Sequence, residues 1–112
     1  MKNIITTCAG LLLMLSFATF AAEQHGIPAL EHATAAVEQG KANNTTGLVK
    51  HANAALEHTL AATLVLKGQA KEHMEAASSE LEEAATHGQM RHTDIATEHA
   101  EAAVKHIQEG NK

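Results

Sequence analysis

Nine of the 112 residues are His, and their spacing is the chemically informative feature of the chain. An eight-residue phrase recurs three times: His32-Ala-Thr-Ala-Ala-Val-Glu-Gln39, His51-Ala-Asn-Ala-Ala-Leu-Glu-His58 and His99-Ala-Glu-Ala-Ala-Val-Lys-His106. A looser copy carries His73, Glu80 and His87 at steps of seven, and His92 precedes His99 by seven. Neutral imidazole is a ligand for Cu(II), Ni(II) and Zn(II). Residues seven apart lie two helical turns apart, about 10.5 Å along the axis, too far to grip one ion. Within one helix only Glu83 with His87 and His106 with Glu109 have chelating spacing. A metal site must therefore collect His side chains from neighbouring helices.

Alanine-rich segments supply those helices. The spacing predicts an all-α fold of four helices. The first starts at Pro28, where a missing N–H costs nothing, and ends before Gly40. The second runs from Thr46 to Leu66 and the third from Gln69 to His87, with Gly88 as its stop. Ser78-Ser79 is the weak stretch of the third, and Ser79-x-x-Glu82 offers a place to restart. The fourth begins at Thr93 or Asp94 and fades before Gly110. Short connections make these an up-down-up-down four-helix bundle.

With His at heptad position a, Ala falls at b and e, and Leu30, Val37, Val49, Leu56 and Val104 fall at f. Charged and amide residues fall at c and g. Each His thus sits at the edge of the apolar arc. Counting about 1.5 Å per residue from the end where the second helix begins sorts eight His into three layers. These are His51, His87 and His92; His32, His58 and His99 with Glu80; and His73 and His106 with Glu109. Glu83 falls near the first layer. The expected metal ligands are these eight His, with His25, Glu80, Glu83 and Glu109 beside them.

The N-terminal residues set the compartment. Lys2 precedes an apolar run, Ala9 to Ala18, that closes on Thr19-Phe20-Ala21-Ala22. This reads as a secretory signal, residues 1–21, cut after Ala21 or Ala22 and followed by one domain, 22–112. The run is short for a membrane span, so no membrane anchor is expected after cleavage. Cys8 precedes the run and reads as an ordinary signal residue. Removing 21 of 112 residues leaves 91, with every His, no Cys and no aromatic residue. Seven basic and thirteen acidic residues remain, a net charge of −6. That charge and the lack of aromatic platforms exclude nucleic acid as a partner, and thiolate chemistry is excluded with Cys8. No nucleophile elbow, phosphate loop or His-Glu-x-x-His occurs, so no enzyme is expected. Met74 and Met90 read as packing or loop residues. A cut after Ala22 would make His25 the third residue. Amine, two amide nitrogens and imidazole would then suit Cu(II) or Ni(II) in a square plane.

With the repeats laid out, the chain resembles the bacterial small metal-binding protein family, most clearly over Thr86 to His106. The resemblance implies a periplasmic, helical, His-rich protein associated with copper and other divalent metals. Gln39 and Glu80 depart from the pattern, standing where His would recur. The combined expectation is a periplasmic protein that sequesters or buffers divalent metal, Cu(II) first and Ni(II) or Zn(II) as alternatives. The competing reading is a structural or stress-response bundle whose His face senses pH.

Overall fold

Four helices pack side by side: α1 (Ile27–Lys41), α2 (Thr45–Thr63), α3 (Gly68–Gln89) and α4 (Thr93–Gly110). One wide turn of π type, Ala22–Gly26, leads directly into α1. The computed structural model describes residue 20 and residues 22–112. The signal segment expected over residues 1–21 lies outside the described residues except for Phe20, as do Cys8 and the expected cut after Ala21. Each helix touches its chain neighbour, and α1 also packs on α4. The architecture is the expected up-down-up-down bundle, with no strand among the described residues.

Alanine builds the core. Positions b and e are buried in every helix: Ala29, Ala33 and Ala36 in α1, Leu48, Ala52 and Ala55 in α2, Leu81 and Ala84 in α3, Ala96, Ala100 and Ala103 in α4. Leu48, Met74, Leu81 and Ile107 are the large aliphatic side chains that are fully buried. Small side chains let the helix axes approach closely, so the flanking positions meet their neighbours. On the wheel, a and f lie about 70° to either side of the buried arc. His therefore lines one edge of each helix, and Leu30, Val37, Val49, Leu56 and Val104 line the other, partly buried against the core.

Three expected stops are helical. α1 continues through Gly40, α3 through Gly88 and α4 through Gly110. Gly40 and Gly88 mark close approaches instead. A Cβ on Gly40 would collide with Thr97 and Leu48, and one on Gly88 with Val49. The helices end on Asn43 and Arg91, in the left-handed region at φ 57° and 62°. Asn44 N–H donates to the Gln39 carbonyl (2.8 Å) and Asn43 N–H to that of Gly40 (3.0 Å). His92 N–H donates likewise to His87 (2.8 Å) and Arg91 N–H to Gly88 (3.0 Å). Both are Schellman endings, which satisfy the last carbonyls and fold the chain back. α3 also runs unbroken through Ser78-Ser79. The Ser78 hydroxyl, buried, is 2.8 Å from Thr59 Oγ1 and 2.9 Å from the Met74 carbonyl, so its polarity is satisfied within the α2/α3 contact.

The two matching endings belong to a duplication. α1–α2 and α3–α4 are equivalent hairpins at an offset of 48 residues. The offset relates Gly40 to Gly88, Asn43 to Arg91, His51 to His99 and His58 to His106. Thr45 and Thr93, also related by 48, meet each other, their hydroxyls 2.8 Å apart where the hairpins adjoin.

Candidate metal centre

The His edges of the two helices in each hairpin face each other. This makes two seams, one along α1/α2 and one along α3/α4, each with three rungs related by the 48-residue offset. In α1/α2 the rungs are Gln39–Asn44, His32–His51 and His25–His58. In α3/α4 they are His87–His92, Glu80–His99 and His73–His106.

The rungs at the turns follow from the Schellman endings, which place the side chain beyond the turn against one in the last helical turn. That contact is usually apolar; here it is polar. Asn44 Nδ2 donates to Gln39 Oε1 (2.7 Å), while Asn44 Oδ1 caps α2 by accepting from Gly47 N–H (3.1 Å). The equivalent His92 stands at the N-cap of α4 without a side-chain cap bond. Its ring turns to His87 instead, Nδ1 to Nδ1 3.3 Å. The expected cap at Thr93 or Asp94 gives way to this pairing, Thr93 being engaged with Thr45.

Two more rungs are imidazole pairs: His32 and His51 approach to 3.2 Å between Nδ1 atoms, and His73 and His106 to 3.3 Å. Without an ion, one ring of each pair donates its N–H to the other. These separations also suit metal chemistry. Two nitrogens at about 2.0 Å from an ion with tetrahedral angles lie about 3.3 Å apart. Each pair therefore offers two of the four ligands that a tetrahedral ion takes.

The richest cluster lies on α3/α4. Glu83, His87 and His99 each offer a ligand atom, all within 4.8 Å of one another. His87 Nε2 is 3.8 Å from Glu83 Oε2, one turn earlier on α3. The His87 and His99 rings stack at 5.5 Å and 10°. His99 Nδ1 is 2.6 Å from Glu80 Oε2. A carboxylate there accepts a hydrogen bond from the Nδ1–H, which keeps the proton on Nδ1 and leaves the Nε2 lone pair of His99 for an ion, the arrangement that orients many metal-ligating imidazoles. His87 and His99 are half-buried and Glu83 exposed, so the cluster opens to solvent.

The structure redistributes the expected layers. His51 meets His32 on α1/α2, and is not with His87 and His92 on α3/α4. Likewise His32 and His58 stack together at 5.9 Å while His99 pairs with Glu80 on the other seam. Heights along the axis group these residues, but only His edges of the same hairpin converge. His73 and His106 do meet. Glu109, expected beside them, points its Oε1 to Lys112 Nζ at 2.7 Å. That ammonium holds the Glu109 carboxyl below the usual carboxylate range, with a smaller contribution from His73. His25 is half-buried, its ring 6.0 Å from that of His58. The pairing of His25 with His58 was not among the expected contacts, and the 48-residue offset in the sequence is the signal that points to it.

The fold and the seams define a helical bundle displaying imidazole and carboxylate ligands along two edges. The chain belongs to the small metal-binding protein family, whose model matches residues 1–110. No curated protein is significantly similar to it. The family is defined by binding metal rather than by catalysis.

Proposed function

We propose that the protein is a periplasmic buffer for divalent metal, holding copper first and nickel or zinc as alternatives. The observation that carries this reading is the Glu83–His87–His99 cluster, with ligand atoms within 4.8 Å. Imidazole favours Cu(II) in the general affinity order. The signal-like sequence before residue 22 favours an oxidising compartment, where copper persists as Cu(II). Ligands at half-buried edges of a bundle, rather than in its core, suit an ion that enters and leaves without unfolding a helix. Storage and release are then the natural role.

Binding uses the residues' own acid–base chemistry. A neutral imidazole gives the ion its Nδ1 or Nε2 lone pair and keeps its proton on the other nitrogen. In an Nδ1–Nδ1 pair the ion takes the place of the shared proton, which moves to Nε2 of the donor ring. No proton is lost to solvent when both rings start neutral. Bound ions add stability by mass action, the more so for a core with few large side chains.

Native mass spectrometry at neutral pH tests the reading. Retention of one or more Cu(II) ions supports it, and cell fractionation tests the compartment. The three close imidazole pairs favour one competitor, a pH-responsive bundle, since protonating both rings of a pair sets like charges together. An unchanged apo mass after mixing with Cu(II), Ni(II) and Zn(II) would overturn the metal reading in favour of that one.

A further inference from the structure

The hairpins are equivalent in backbone but not in chemistry. Glu80 and Glu83 stand on the α3/α4 seam. Among the described residues, no carboxylate bonds to or pairs with His25, His32, His51 or His58. Those four rings form a continuous ladder instead. His25 to His58 is 6.0 Å between centroids, His58 to His32 5.9 Å and His32 to His51 5.5 Å.

His25 is the unfinished member. The 48-residue offset makes His25–His58 the counterpart of His73–His106, whose rings lie 5.6 Å apart with the Nδ1 atoms at 3.3 Å. In the first hairpin the rings stand slightly wider, and Nδ1 of His25 is buried without a hydrogen-bond partner. A buried nitrogen left unpaired is costly, and a shared ion would satisfy it. The backbone next to it is also held in place. Asn111 Nδ2 donates to the carbonyl of the adjoining Gly26 at 2.9 Å, tying the last residues of the chain to the first turn across 85 positions. Gly26 has no Cβ to displace that side chain.

We propose that the α1/α2 seam is a second metal site, built of imidazole nitrogen alone, which His25 completes and Asn111 positions. This rests on the reading of the protein as a metal binder and adds a place and a metal class to it. All-nitrogen ligation widens the advantage of Cu(II) over Zn(II), whereas a carboxylate oxygen narrows it. Limiting copper is therefore expected at the α1/α2 seam ahead of the carboxylate-bearing Glu83–His87–His99 cluster, where excess zinc stays.

The test is a Cu(II) titration of the zinc-loaded protein, followed by electron paramagnetic resonance. Circular dichroism confirms that each variant stays helical. The first copper equivalent is expected to show nitrogen-only coupling in the wild type and in the Glu83→Ala/His87→Ala/His99→Ala variant. His25→Ala and His58→Ala are each expected to weaken it about tenfold or more, and Asn111→Ala, which removes no ligand, by a similar order. His25→Gln and His58→Gln repeat the test with side-chain bulk kept. If the first copper is lost in the triple variant and untouched by His25→Ala and His58→Ala, the second site is overturned and the metal-binding function stands. If His25→Ala removes it and His58→Ala does not, the ligand is an amino-terminal chelate and the proposal is equally overturned. A wild type that takes no copper removes both readings.

Discussion

Oε2 of Glu80 lies 2.6 Å from Nδ1 of His99, across the α3/α4 seam. Glu80 occupies a heptad position that carries His elsewhere, so a carboxylate has replaced an imidazole in the middle rung. Both side chains are about two-thirds buried, at 32% and 31% exposure. The pair fixes the His99 tautomer and aims the other nitrogen for use. Glu80→Gln keeps the shape and removes the charge. It should weaken metal binding at the Glu83–His87–His99 cluster by about 10- to 100-fold, with no change in helicity. Calorimetric titration with Zn(II) measures this, and an unchanged affinity would leave the Glu80–His99 pair a structural contact with no part in metal binding.

Coupling should follow the seams. His51→Ala and His32→Ala remove two halves of one rung, so their effects on bound metal are expected to be strongly non-additive. His51→Ala and His87→Ala lie on different seams and should add, within about 0.5 kcal/mol. A double-mutant cycle on Cu(II) affinity separates these outcomes. Coupling between His51 and His87 equal to that between His51 and His32 would restore the layered arrangement that height alone suggests.

Metal should leave as pH falls. Protons and ions compete for the same imidazole lone pairs, and ordinary imidazole titrates near pH ~6.5. Release is therefore expected between about pH 7 and 5. Glu109 does not contribute to that window. Its folded pKa is depressed below 4.5 by Lys112, so the link it makes is present above the unfolded value and fades only as pH falls through the lower folded one. Full metal occupancy at pH 4, read by mass spectrometry, would rule out His ligation.

Arg91 carries the backbone strain of the second hairpin turn. A non-glycine side chain at φ 62° costs about 1 kcal/mol. Arg91→Gly should raise the melting temperature of the apo protein by several degrees, leaving the His87–His92 rung and metal affinity unchanged. A lower melting temperature would mean that the Arg91 side chain itself stabilises the turn.

The tolerance of the core to volume is the remaining test. Ala100 is fully buried between closely packed helices. Ala100→Leu should cost about 1–3 kcal/mol by overpacking, and by spreading α3 from α4 it should lower metal affinity as well. Denaturant unfolding reads the first effect and Cu(II) titration the second. An Ala100→Leu protein with wild-type metal affinity would show that the rungs do not depend on the close helix approach.

Much of this was legible in the chain. Helix content, the number of helices and the marginal position of His on each helix all follow from local periodicity, because 3.6 residues per turn fixes where a heptad residue points relative to its own axis. Glu83 with His87 could be read as a pair for the same reason. Gly40 and Gly88 could not be read correctly from local rules. A glycine that ends a helix and one that admits a neighbouring side chain look alike in sequence, and the difference lies in Thr97, Leu48 and Val49, which approach from other elements. The stops fell on Asn43 and Arg91, and only the first of these is a residue that commonly adopts a left-handed turn.

The sequence by itself determined four alanine-cored helices with imidazole along one edge and branched aliphatics along the other. It also held the 48-residue duplication that makes the two hairpins equivalent. Only the tertiary structure decided which histidines meet. A helical wheel gives direction about one axis and a residue count gives height, but neither says whether the His edge of α2 turns to α1 or to α3. That choice depends on the sense in which four helices wind round a shared core, a property of the packing as a whole. It turned the His edges inward within each hairpin, so His51 found His32, His87 found His92, and Glu80 was left facing His99.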